Sequence, residues 1–93
     1  MLILQSARFG RSVKKLHPNQ KKLLDKAIRK ITLQPKIGQA KVGDLSGVYI
    51  YKFKMGNINW LLAYEFKGKD EITLLLVGAH ENFYKSLKRL EKC

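Results

Sequence analysis

Acidic residues are scarce in this chain. Seven Asp and Glu stand against 19 Lys and Arg, a formal net charge of +12 over 93 residues. Cysteine is nearly absent. Cys93 alone excludes an internal disulfide framework and a cysteine-rich zinc site, and its terminal place reads as an exposed thiol with no role. Histidine is limited to His17 and His80, and no Cys or carboxylate pair lies near either at ligand spacing, so no metal site is expected. Glycines gather between Gly38 and Gly47 without the GK[ST] ending of a phosphate-binding loop, and no cofactor is expected. Long apolar runs are missing as well. Met1-Leu2-Ile3-Leu4 is too short for a secretory segment. The longest run, Thr73 to Ala79, is far below the ~20 residues of a membrane helix. These absences lead us to expect a cytoplasmic protein with no membrane partner.

What is present is enough for a core. Hydrophobic residues make up 45% of the chain, which excludes intrinsic disorder despite the charge. No repeat, low-complexity tract or linker divides the sequence, so residues 1–93 are read as one domain. The positive charge is uneven. Residues 1–43 hold 11 Lys and Arg against Asp25 alone, whereas residues 44–93 hold 8 basic and 6 acidic groups. Lysines such as Lys14, Lys15, Lys21, Lys22 and Lys26 are ordinarily a solvated helix face. A charge this large also favours a polyanionic partner, whether nucleic acid, ribosome or an acidic protein.

Periodicity supplies the elements. Met1 to Gln5 reads as a short strand. Ser6 is placed to cap a helix to Leu16, with Phe9, Val13 and Leu16 on one face. His17-Pro18-Asn19 breaks it. A second helix begins around Pro18 to Gln20 and runs as far as the Gln34-Pro35 stop, with Leu24, Ile28 and Ile31 in a stripe. Pro35 stops that helix. The short connection predicts an antiparallel helical hairpin. Pro35 to Gly47 is expected to be a loop. From Val48 the period becomes two, with Val48, Ile50 and Lys52 facing one way and Tyr49, Tyr51 and Phe53 the other. Gly56-Asn57 marks a hairpin turn. Ile58 to Phe66 and Glu71 to Val77 are strands apolar on both faces. Gly78 to Glu81 is expected to leave the sheet, and Phe83, Leu87 and Leu90 mark a terminal helix. The order βααβββα is an α+β fold, with a small antiparallel sheet, an N-terminal helical hairpin packed on it and a short C-terminal helix.

One group of side chains could carry chemistry. Lys52 and Lys54 share a face of the first hairpin strand, His80 closes the last strand, and Tyr84 follows by four residues. Histidine exchanges a proton near neutral pH. Ammonium groups stabilise charge building on a phosphorane. Tyrosine can hydrogen-bond a phosphate or stack on a base. Such a set is sufficient for RNA cleavage by the neighbouring 2′-OH. Each member also has an ordinary reading: a strand-end histidine in a local hydrogen bond, exposed strand lysines, a tyrosine closing the core beside Phe83.

Three segments carry a resemblance. Gly43-Asp44-Leu45-Ser46-Gly47-Val48-Tyr49-Ile50-Tyr51-Lys52-Phe53, then Leu61-Leu62-Ala63-Tyr64-Glu65-Phe66, then Val77-Gly78-Ala79-His80-Glu81-Asn82-Phe83-Tyr84 resemble the RelE/ParE superfamily of bacterial type II toxin–antitoxin modules. The Gly-x-His-x-x-x-Tyr ending is the most telling part. The resemblance implies a toxin held inactive by a cognate acidic antitoxin. It implies a ribosome-dependent mRNA endoribonuclease, with ribosome and mRNA as partners, or alternatively a ParE-like poison of DNA gyrase. In the nuclease branch Lys52, Lys54, His80 and Tyr84 match functional positions. One position departs: many of these nucleases carry an arginine where this chain has Leu61, and a leucine cannot grip a phosphate.

Overall fold

The computed structural model describes residues 2–40, 47–67 and 70–79. They form β1 (Leu2–Gln5), α1 (Ala7–Lys14), α2 (Pro18–Leu33), β2 (Gln39–Ala40), β3 (Val48–Met55), β4 (Ile58–Lys67) and β5 (Glu71–Ala79). The expected terminal helix falls outside the described residues. No helix among them is long and apolar enough to cross a membrane.

Both helices start where the sequence places them. Ser6 has extended backbone, and its Oγ accepts the Phe9 N–H at 3.0 Å, capping α1. The same hydroxyl donates to the Leu75 carbonyl at 2.8 Å, and the Ser6 N–H donates to the Leu74 carbonyl at 2.9 Å. The cap therefore also fastens α1 to β5. Pro18 opens α2, and the Gln20 side-chain oxygen accepts the His17 N–H at 2.9 Å. Leu24, Ala27 and Ile31 of α2 are buried.

The five strands lie in the order β1-β5-β4-β3-β2. The expected antiparallel sheet is present from β2 to β5, and β1 joins its edge in parallel with β5. Gly56 supplies the positive φ of +62° that the two-residue turn between Met55 and Ile58 requires. Three sequence boundaries move. The first helix ends at Lys14, short of Leu16. The stretch after Pro35 is not all loop, because Gln39 and Ala40 pair with Ile50 and Tyr49. Gly78 and Ala79 do not leave the sheet, because β4 extends far enough to pair them with Leu61 and Trp60.

β4 is buried on both sides. Leu62 and Tyr64 face the helices and join Phe9, Leu24, Ile31, Ile72, Leu74 and Val77 in the main core. Leu61 and Ala63 face the other way and join Val48, Ile50 and Leu76 in a second cluster. A register shift at Ala63/Tyr64 leaves Leu75 as an extra residue in β5. This bulge lets Leu74 and Val77 both reach the helix side while Leu75 and Leu76 serve the other cluster.

Tyr64 fastens the end of α2 to the sheet. Its hydroxyl donates to the Pro35 carbonyl at 2.6 Å and accepts the Gly38 N–H at 3.1 Å. Its ring stacks on Tyr49 with centroids 5.6 Å apart. A Cβ on Gly38 would sit 2.7 Å from that hydroxyl and 3.0 Å from the Ile50 carbonyl oxygen, so glycine is required there. Burial is the main effect on the phenol and raises its pKa above the ordinary 10.0, although the Gly38 N–H opposes the shift. Because the folded-state pKa is the higher one, this contribution to stability is complete below the unfolded pKa and is lost as pH rises through the folded one. Tyr64→Phe leaves the Gly38 N–H and Pro35 carbonyl without this partner. It should cost about 1–3 kcal/mol in urea unfolding at neutral pH and flatten the loss of stability above the ordinary tyrosine range.

Candidate functional site

The site is built on the sheet face turned away from the helices. Along β3 the pattern alternates: Val48 and Ile50 are buried, and Lys52 and Lys54 continue the same face as exposed residues. The cause is local. Toward the Gly56 turn the second core cluster ends, so side chains of that face meet solvent. The register sets their neighbours. Lys52 lies opposite Leu61, which in turn lies opposite Gly78, and Lys54 lies opposite Asn59. Lys52, Leu61 and Gly78 therefore form one row across three strands, with an ammonium group at one end and a residue without a side chain at the other.

Leu61 is 2% exposed and belongs to the second core cluster. The departure from the arginine of the resembling nucleases is thus a packed apolar floor beside Lys52. His80 and Tyr84 lie outside the described residues. Among the described residues no group of three His, Cys, Asp or Glu is placed to hold a metal ion.

The helical lysines form a separate feature. Lys14, Lys15, Lys21, Lys22 and Lys26 are all exposed. Arg8, Arg11, Ser12, Lys14 and Lys15 line an open concavity on α1. The helices pack on the opposite face of the sheet from Lys52 and Lys54, with α1 against β5 and α2 against β3. The structure thus brings Lys52 and Lys54 together and keeps the helical lysines apart from them. Sequence reasoning missed the Tyr64 clamp and the double role of Ser6. A tyrosine hydroxyl bonding 26 and 29 residues away leaves no local signal.

Comparison with known proteins fits this architecture. Residues 3–88 match the model of the ParE-like toxins of type II bacterial toxin–antitoxin systems. The chain belongs to this family. Among solved structures, a chain of the intact E. coli RelBE toxin–antitoxin complex superposes with a TM-score of 0.68 at 21% identity, covering 86% of this chain and 96% of that one. The isolated E. coli RelE toxin gives 0.65 at 20% identity, covering 96% and 97%. A doubly substituted RelE in the free state gives 0.71 at 20% identity, covering 95% of each chain. At that identity the likeness shows a shared fold. No curated protein sequence matches the chain.

The row across the sheet separates stability from surface chemistry. Leu61→Ala should cost about 2–5 kcal/mol in urea unfolding, as a cavity in a packed cluster. Lys52→Ala, one strand away and exposed, should stay within about 0.5 kcal/mol of the parent.

Proposed function

We propose that this toxin inhibits translation by cutting mRNA on the ribosome, with the chain's own side chains carrying out the cleavage. The observation that carries the reading is the shared face of Lys52 and Lys54, with Lys52 in one row with Leu61 and Gly78. In the proposed reaction the 2′-oxygen of the mRNA loses its proton to a base and attacks the adjacent phosphorus. The bond to the 5′-oxygen breaks, that oxygen takes up a proton, and a 2′,3′-cyclic phosphate remains. His80 serves as general acid or base. Lys52 and Lys54 hold the phosphate and its developing charge. Tyr84 orients the mRNA.

The lysines of α1 and α2 have a distinct part in this reading. Lying on the other side of the sheet, they dock the toxin on ribosomal RNA through its phosphates. A ribosomal target places the toxin in the cytoplasm. A cognate acidic antitoxin covers the catalytic face, neutralising Lys52 and Lys54 while blocking access. The likeness to a chain of the RelBE complex supports such a partner.

His80→Ala should abolish growth arrest on induction and lower mRNA cleavage by about 10²–10⁴-fold, with an unchanged circular dichroism spectrum. Full growth inhibition by that variant refutes the assigned role. Replacing Lys14, Lys15, Lys21, Lys22 and Lys26 with Gln should weaken ribosome binding and flatten its salt dependence, measured by co-sedimentation across a salt series.

Leu61 favours a second reading. With an apolar side chain at the floor of the site, the chain can act instead as a non-enzymatic inhibitor of DNA gyrase. Parallel assays of ribosome-dependent mRNA cleavage and of gyrase supercoiling, using the purified chain, discriminate the two.

A further inference from the structure

The end of α2 carries an apolar residue that the core does not use. Ile31 is fully buried, and Leu33 follows by two residues, about 200° around the helix. Leu33 accordingly points to solvent and is 81% exposed, the highest value among the large exposed hydrophobic side chains of the described residues. The chain then turns back, with the Ile37 N–H donating to the Gln34 carbonyl at 2.9 Å. This turn sets Ile37, itself 42% exposed, beside Leu33. Together with Lys30 and Gln34 they line a shallow concavity. Exposed Arg29 and Lys36 flank it in the sequence, and the only acid on α2 is Asp25.

An aliphatic centre with a cationic rim fits a protein better than a nucleic acid. RNA phosphates need only the cations, and bases stack on aromatic rings, of which this patch has none. A partner helix with a leucine stripe and a glutamate-rich remainder matches both parts, because its apolar side chains cover Leu33 and Ile37 while its carboxylates meet the rim. We propose that the Leu33–Ile37 patch is a docking site for the apolar face of an acidic, amphipathic protein segment. The proposal rests on the toxin–antitoxin reading above and names a contact for the antitoxin outside the face of Lys52 and Lys54.

The test uses the purified full chain and fluorescence anisotropy with two labelled synthetic peptides. One is a helix-forming peptide with a leucine stripe on a glutamate-rich background. The other has the same charge with every leucine replaced by serine. The leucine peptide should bind roughly tenfold or more tightly than its control. Leu33→Ser and, separately, Ile37→Ser should each reduce that preference, whereas Leu33→Met should retain it. Oligouridine affinity should be the same for the parent chain and Leu33→Ser. Equal binding of both peptides, or a preference that survives both serine variants, overturns the proposal. So does a loss of oligouridine binding in Leu33→Ser, which would make the patch an RNA surface. Growth arrest on induction of the parent chain is scored separately: its absence removes the toxin reading, while the peptide preference judges the patch.

Discussion

Burial of β4 on both faces is the constraint around which this small protein is arranged. A strand packed on one side can leave its other side to water, but Leu62 and Tyr64 are as deeply buried as Leu61 and Ala63. Both sides of the sheet therefore need apolar cover. β3 and β5 meet this demand differently. β3 keeps strict alternation, with Tyr49 and Tyr51 toward the helices and Val48 and Ile50 away. β5 breaks alternation with the bulge at Leu75, which adds one apolar residue to the far face without shifting Val77 out of the main core.

The bulge also explains how the N-terminal segment is held. β1 is a short edge strand whose four residues are all exposed, so its side chains contribute little to the core. Its attachment relies on parallel pairing with β5 and on Ser6 at its end. Ser6 meets the bulged strand with two hydrogen bonds while capping α1 with a third. From the central strand, Tyr64 plays the corresponding part for the segment after α2. Two hydroxyl side chains, half-buried Ser6 and buried Tyr64, thus convert helix termini into fixed points on the sheet, and each hydroxyl both donates and accepts a hydrogen bond.

Charge is divided by the same architecture. Among the described residues, the sheet sets Lys52 and Lys54 on one side and the lysines of α1 and α2 on the other. Self-repulsion is reduced by that separation, and two acidic or polyanionic surfaces can be addressed independently.

Much of the fold was legible because its signals are local. The cap at Ser6, the breaks at Pro18 and Pro35, the Gly56 turn and the switch from helical to alternating period each depend on neighbours within a few residues. The exposed face shared by Lys52 and Lys54 follows from the same alternation. What the sequence could not determine are relations between distant segments. The parallel placement of β1 beside β5, the pairing of Gln39 and Ala40 with β3, and the Tyr64 contacts with Pro35 and Gly38 are non-local. So is the alignment of Lys52, Leu61 and Gly78, which depends on the register of three strands. The sequence by itself determined where the chain turns, which stripes seek a core and how much positive charge it carries. Only the tertiary structure decided which side of the sheet each charge occupies and that Leu61 is a buried floor, because register and face are settled when distant apolar side chains compete for one shared interior.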